Sequence, residues 1–127
     1  MKKILLLLSI LICALSYAQD WKFLFKEANK TYYYKPNTEN TAWIKIVSNK
    51  IEYYQSNVLK SVDGYKLLLW RFECNPKKIG IKQIIVYSKK GKLMRKMPKK
   101  DHLVEMDDVT PNTNAEIFLN VFCNKEK

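Results

Sequence analysis

The sequence is poor in the residues on which most small enzymes and metal sites depend. It contains three glycines, one histidine and three cysteines in 127 residues. So few glycines provide no glycine-rich loop for a phosphate, and a single histidine without a C-x-x-C pair provides no familiar zinc site. A nucleophile, a base and an orienting residue cannot be assembled from this set. We therefore expect a protein that is not an enzyme and that uses no cofactor and no metal.

Acidic residues are scarce as well. Twelve Asp and Glu stand against 23 Lys and Arg, so the chain carries a net charge of +11, and 47% of its residues are hydrophobic. This composition is typical of a packed globule, and the length suits one small domain. Length and composition thus argue against a two-domain enzyme and a disordered tail, and we find no internal repeat and no linker.

The only long hydrophobic run lies at the N-terminus. Lys2 and Lys3 precede an apolar stretch over residues 4–15, and Ser16 and Ala18 stand at the −3 and −1 positions of a cleavage site. A membrane anchor is the alternative, but the run is shorter than the ~20 residues that span a bilayer. We expect a signal peptide over residues 1–18 and a single exported domain over residues 19–127, with a net charge of +9 and no transmembrane segment.

The cysteines fit export. Cys13 falls within the expected signal peptide, and it follows the bulky Ile12, which favours release over lipid attachment. Cys74 and Cys123 remain, an even pair in a compartment where disulfides persist. We expect a Cys74–Cys123 bridge, with two buried free thiols as the alternative.

Short aromatic and β-branched runs separated by turn residues predict an antiparallel sheet. The expected strands cover residues 21–26, 31–35, 42–48, 51–55, 65–74 and 78–89, and a last hairpin runs out through Leu93 and Met94. The turns are expected at Asn49-Lys50, Asp63-Gly64, Asn75-Pro76 and Lys90-Gly91. In the strand over residues 65–74, period two gives both faces apolar side chains, so it is either a central strand or a contact for another protein such as a second copy in a homodimer.

One helix is predicted near the C-terminus. Thr113 and Glu116 have capping-box spacing behind Pro111, and one stripe carries apolar residues, namely Ala115, Phe118, Leu119 and Phe122. Cys74 shares a strand face with Leu68, Trp70 and Phe72, so a bridge to Cys123 would hold the helix on that face. The fold class is therefore α+β: an antiparallel meander of about six strands with one C-terminal helix packed on one face and tied by a disulfide.

The order of these features resembles the surface-adhesin E family of small exported bacterial proteins. The matching features are Trp21, Tyr32 to Tyr34, Arg71-Phe72-Glu73-Cys74, Tyr87-Ser88 with Gly91, Pro111 and Val121-Phe122-Cys123. The resemblance implies an antiparallel sheet with a disulfide-tied helix, a tendency to dimerise, and adhesion to host matrix proteins without catalysis. The chain departs from the family in lacking a lipid-attachment cysteine, so surface retention does not carry over.

Residues 77–100 hold ten basic residues and no acidic one. On a hairpin, seven of them are expected around one end of the sheet: Lys89, Lys90, Lys92, Arg95, Lys96, Lys99 and Lys100. Such a patch attracts polyanions, whereas a lysine-rich edge can also merely keep strands from pairing with other molecules. Export and the excess of Lys over Arg argue against nucleic acid as the partner.

Two further groups of side chains are candidates for binding. Asp101, His102, Glu105, Asp107 and Asp108 resemble a metal site only loosely, and an acidic loop beside Lys99 and Lys100 is the simpler interpretation. Consecutive tyrosines must alternate between sheet faces, so Tyr33, Tyr53 and Trp43 are candidates for an aromatic partner surface, with core packing as the alternative.

The sequence thus predicts a non-catalytic exported binding module, which contacts a host or matrix protein or a polyanionic glycan. The alternative is a periplasmic or envelope-associated structural protein that has no matrix ligand. The signal peptide is consistent with the periplasm, the cell surface or secretion.

Overall fold

A computed structural model describes residues 21–124 of the chain. The expected signal peptide over residues 1–18, with its cleavage site after Ala18, lies outside the described residues. Among the residues that are described, no helix is long and apolar enough to cross a membrane.

The core of the fold is an antiparallel meander, which confirms the predicted fold class. Its strands are β1 (Lys22–Glu27), β2 (Lys30–Pro36), β3 (Thr41–Gln55), β4 (Val58–Cys74), β5 (Lys77–Ser88) and β6 (Leu93–Pro98), and they pair in chain order. A two-residue strand, β7 (Asp107–Asp108), pairs with Lys78 and Ile79 of β5. Sequential pairing with short connections is the arrangement that alternating strand and turn signals favour.

Two of the predicted turns are wrong. Asn49-Lys50 is an irregularity within β3, because pairing with β4 resumes at Ile51 opposite Val62. Gly64 lies inside β4, where a Cβ atom would press against the backbone carbonyl oxygen of Tyr87 in β5. The glycine therefore permits a close approach between strands rather than a reversal of the chain.

The reversal between β3 and β4 occurs at Ser56 and Asn57, both of which have positive φ. Two consecutive residues with positive φ are the signature of a two-residue hairpin turn that matches the twist of its strands. As a result β3 and β4 extend past the end of β5 as a long hairpin. We call its distal part, Ile51–Gln55 and Val58–Val62, the arm.

One helix, α1 (Asn114–Cys123), packs across the sheet. It buries Phe118, Leu119 and Phe122 against a cluster that includes Ile44 and Phe72. The ring of Phe122 stacks on Phe72 at 4.6 Å between centroids. The predicted apolar stripe is thus the packed face of the helix, and burial of such a stripe supplies most of the stability of a short helix.

The start of α1 differs from the predicted capping box. Thr113 occupies the N-cap position, but its hydroxyl donates to the backbone oxygen of Thr110 at 2.7 Å instead of accepting from the helix. Pro111 lies before the helix, in the turn that leads into it.

The Cys74–Cys123 disulfide is present and joins the end of β4 to the end of α1, with 5.8 Å between Cα atoms. It closes a segment with a sequence separation of 49 residues. In the chain-entropy model a cross-link of this length stabilises the fold by about 4 kcal/mol.

Candidate functional site

The basic residues of the candidate patch follow the outer edge of the sheet. All seven are exposed, and within residues 21–124 none of them forms an ion pair: Lys89, Lys90, Lys92, Arg95, Lys96, Lys99 and Lys100. Three lie in the turn before β6, two within it and two after Pro98. They form a stripe, which we call the basic edge, rather than a cluster at one end, because β6 alone spans about 20 Å.

The acidic residues that follow the basic edge separate into two environments. Asp101 accepts a hydrogen bond from the ammonium of Lys82 at 2.8 Å, and this bond together with the charge of Lys82 lowers the pKa of the carboxyl. Glu105, Asp107 and Asp108 instead line a cavity of about 400 Å³, together with Lys99, between β5 and the start of α1. Within residues 21–124, no group of three or more His, Cys, Asp or Glu side chains is placed to hold a metal ion.

The sheet face opposite α1 carries a second arrangement of interest, which we call the open face. The strand register places fifteen residues of β2 to β6 on it in three rows, among them Trp43, Leu67, Leu69, Tyr65 and Tyr87. The only charged residues in these rows are three lysines: Lys35, Lys45 and Lys96. The face is therefore apolar and cationic at once.

Two of the three lysines of the open face, Lys35 and Lys45, lie over aromatic rings. The ammonium of Lys45 stands 4.8 Å from the ring centroid of Tyr65 and 5.4 Å from that of Trp21, and Lys35 lies 5.6 Å from Trp21. Tyr65 stacks on Tyr87 at 5.1 Å. These cation–π contacts hold the ammonium groups of Lys35 and Lys45 close to the aromatic rings of the open face.

The three aromatic candidates are divided between two sides of the sheet. Tyr33 and Trp43 are half-buried on the open face, where Tyr33 meets the exposed ring of Phe23 edge-on at 6.1 Å. Tyr53 is buried on the α1 side, in a small cluster with Ile51 and Val86. The register shift at Asn49 and Lys50 changes which side chains of the arm face the α1 side of the sheet, where Tyr53 packs with Val86 of β5, and a strict period-two argument could not predict this.

Sequence reasoning did not single out Lys66. This lysine lies on β4 between Ile46 and Val86, and it lines two cavities on the α1 side of the sheet. Burial is the main reason why its pKa is lowered, with the nearby charge of Lys30 acting in the same direction and Glu52 opposing it. A lysine at an otherwise apolar strand position is the signal that could have revealed it.

Comparison with known proteins does not assign the chain to a family: no protein-family model, no curated protein and no solved structure matches it.

Proposed function

We propose that this protein is an exported, non-catalytic binding module that holds an extended acidic partner, a polyanionic glycan or the acidic surface of a matrix protein, along its basic edge. The observation that carries the proposal is the basic edge itself: seven exposed cations that form no ion pair within the described part of the chain, along a strand of about 20 Å. Such a line of unpaired cations attracts polyanions through release of their counterions.

The length of the basic edge favours an extended partner over a small anion. At physiological ionic strength charges interact over about 8 Å, so a single phosphate senses only two or three of these cations. A chain with regularly spaced negative charges contacts cations at both ends of β6, such as Lys90 and Lys99. Binding of this kind strengthens with the length of the anion.

The open face also favours an acidic protein as a partner. Its three rows combine apolar side chains with Lys35, Lys45 and Lys96 and contain no carboxylate. A second copy docked on this face would bring lysines against lysines, which disfavours the expected homodimer at this place. An acidic partner meets both the apolar and the cationic part of the surface.

Export rests on the predicted signal peptide, and adhesion on the resemblance to surface-adhesin E proteins. The sheet with its disulfide-tied helix is the fold that this resemblance implied. An envelope-associated protein without a matrix ligand would carry its charge for general attraction to anionic headgroups. The affinity of such a protein for anions would depend on its net charge and not on the positions of the lysines.

Two variants of equal net charge test the proposal. The first changes four lysines of the basic edge: Lys89→Gln, Lys90→Gln, Lys92→Gln and Lys96→Gln. The matched control changes four exposed lysines elsewhere: Lys22→Gln, Lys26→Gln, Lys60→Gln and Lys77→Gln. Binding of the oxidised protein to immobilised heparin and to a panel of matrix proteins is measured at physiological salt.

We expect the basic-edge variant to lose at least tenfold in affinity, while the control loses less than threefold. Equal losses in the two variants would mean that only net charge matters, and the proposal would fail in favour of a general envelope attraction. Saturable binding to one matrix protein in preference to heparin would assign the acidic partner as a protein.

A further inference from the structure

The arm and the neighbouring strands line two adjoining open cavities on the α1 side of the sheet. One has a volume of about 280 Å³ and the other about 330 Å³. Lys66 and Glu52 line both of them, so the cavities meet at these two residues. The combined space lies within the range of about 300–1,000 Å³ in which small ligands bind.

The two cavities differ in chemistry. The smaller one is polar, and Lys30 and Lys50 stand in its wall with Lys66. The larger one is mainly apolar, with Leu59 of the arm on one side and Ile84 and Met97 of β5 and β6 on the other. A ligand that fills both must be anionic at one end and apolar at the other.

The charges at the junction leave room for an anion. Glu52 is paired with Lys50, with 3.7 Å between Oε1 and Nζ, and among residues 21–124 it is the only carboxylate that lines either cavity. Lys30 is close enough to Lys66 for its charge to contribute to the lowered pKa of Lys66. A carboxylate or phosphate between them would offset that repulsion and would replace the hydration that Lys66 loses on burial.

We propose that the two cavities form one binding site for an anionic amphiphile, with the acyl chain in the apolar cavity and the carboxylate or phosphate headgroup on Lys66 and Lys30. This site goes beyond the proposed binding of an extended polyanion, since it lies on the α1 side of the sheet rather than along the basic edge. A free fatty acid and a phospholipid share the required chemistry.

The test is equilibrium binding of single-chain amphiphiles to the purified full chain below the concentration at which they form micelles. The probes are octanoate, decanoate and dodecanoate, dodecyl phosphate, and the cation dodecyltrimethylammonium. We expect saturable binding at one site, with an affinity that rises about fourfold for each added methylene that is buried. Preference between dodecanoate and dodecyl phosphate identifies the headgroup.

Point variants locate the site. Lys66→Met removes the charge and keeps the length of the side chain, and we expect it to weaken dodecanoate binding at least tenfold, whereas Lys66→Arg retains most of it and Lys26→Met leaves it unchanged. Met97→Trp fills the apolar cavity and abolishes binding, while Leu93→Trp, at an exposed position on the same strand that lines neither cavity, is the control. The N-terminal hydrophobic run is common to all variants, so its contribution cancels.

Equal binding of dodecanoate and of dodecyltrimethylammonium would overturn the proposal, because the site would then recognise only an apolar chain. Unchanged binding in Lys66→Met would overturn it as well. Heparin binding separates this proposal from the preceding one: Lys66→Met should bind heparin like the parent, and the basic-edge variant should bind dodecanoate like the parent. Either proposal can therefore fail while the other stands.

Discussion

Removal of the disulfide gives a prediction with a magnitude that follows directly from the structure. The Cys74–Cys123 bridge spans 49 residues, and loop-closure entropy for such a segment is worth about 4 kcal/mol of unfolding free energy at 25 °C. Cys74 is exposed and Cys123 is half-buried, so replacement of both by Ala leaves little of a cavity. We therefore expect the double variant to keep its fold and to lose about 4 kcal/mol.

The assay is urea unfolding, followed by tryptophan fluorescence and by far-UV circular dichroism. With a slope of about 2 kcal/mol per molar urea, the midpoint falls by about 2 M. The thermal midpoint falls by about 16 °C, at about 4 °C per kcal/mol for a domain of this size.

The native contacts of α1 do not depend on the bridge alone, because Phe118, Leu119 and Phe122 remain buried against the sheet. A midpoint shift below about 0.5 M would refute the reasoning, since the bridge would then not restrict the unfolded chain. If the double variant lost amide-exchange protection in α1 alone, while the sheet stayed protected, the prediction of a global effect on unfolding would also be refuted. The bridge would then act locally on the helix rather than on global unfolding.

Three further predictions concern single positions. Gly64→Ala should destabilise the protein by about 2 kcal/mol in urea unfolding, because the new methyl group meets the backbone of Tyr87. An unchanged free energy of unfolding would show that the backbone of β5 can move away without destabilising the fold. Tyr34→Phe should stabilise the protein by about 1 kcal/mol at pH 7, because the hydroxyl of Tyr34 is buried and has no hydrogen-bond partner among residues 21–124. A loss of stability would show that the hydroxyl does form a hydrogen bond. Lys66→Met should unfold at higher urea than the parent at pH 7, since the lowered pKa of Lys66 means that its charge disfavours the folded state. The difference in urea midpoint should shrink as the pH rises through that lowered pKa towards 10.5, because the folded parent then loses the charge. A difference that does not change with pH would contradict this prediction.

The residues that determine the fold could be identified from the sequence. Alternating apolar positions along residues 65–74, the stripe of Phe118, Leu119 and Phe122, and the two cysteines are local signals that all favour the same arrangement. The meander, the helix and the bridge could therefore be predicted together.

The turn predictions failed where the same short sequence is compatible with two different backbone structures. Asp63-Gly64 looks like a turn, but the glycine is needed for the close approach of Tyr87, which only the sheet pairing reveals. Ser56 and Asn57 form the actual turn although Ser rarely adopts positive φ. With the turn displaced, the arm became longer than expected and Tyr53 moved into the core.

The candidate sites were predictable to different degrees. The excess of basic residues over 77–100 was evident from the sequence, since this segment contains no acidic side chain, but their arrangement as a stripe along β6 rather than around one end of the sheet was not predicted. The cavities at Lys66 depend on how the arm meets β5 and β6, a contact between distant parts of the chain. No periodicity in the sequence encodes that contact.

The most direct test of the proposed function is the salt dependence of heparin binding. The dissociation constant is measured between 50 and 300 mM NaCl for the parent and for the two quadruple lysine variants of equal charge. By analogy with other polyanions, loss of four contacting lysines should lower the slope of log affinity against log salt by about 3 units in the basic-edge variant. The control variant should keep the slope of the parent. Equal slopes in the two variants would contradict the account, because the basic edge would then be no more than a share of the net charge.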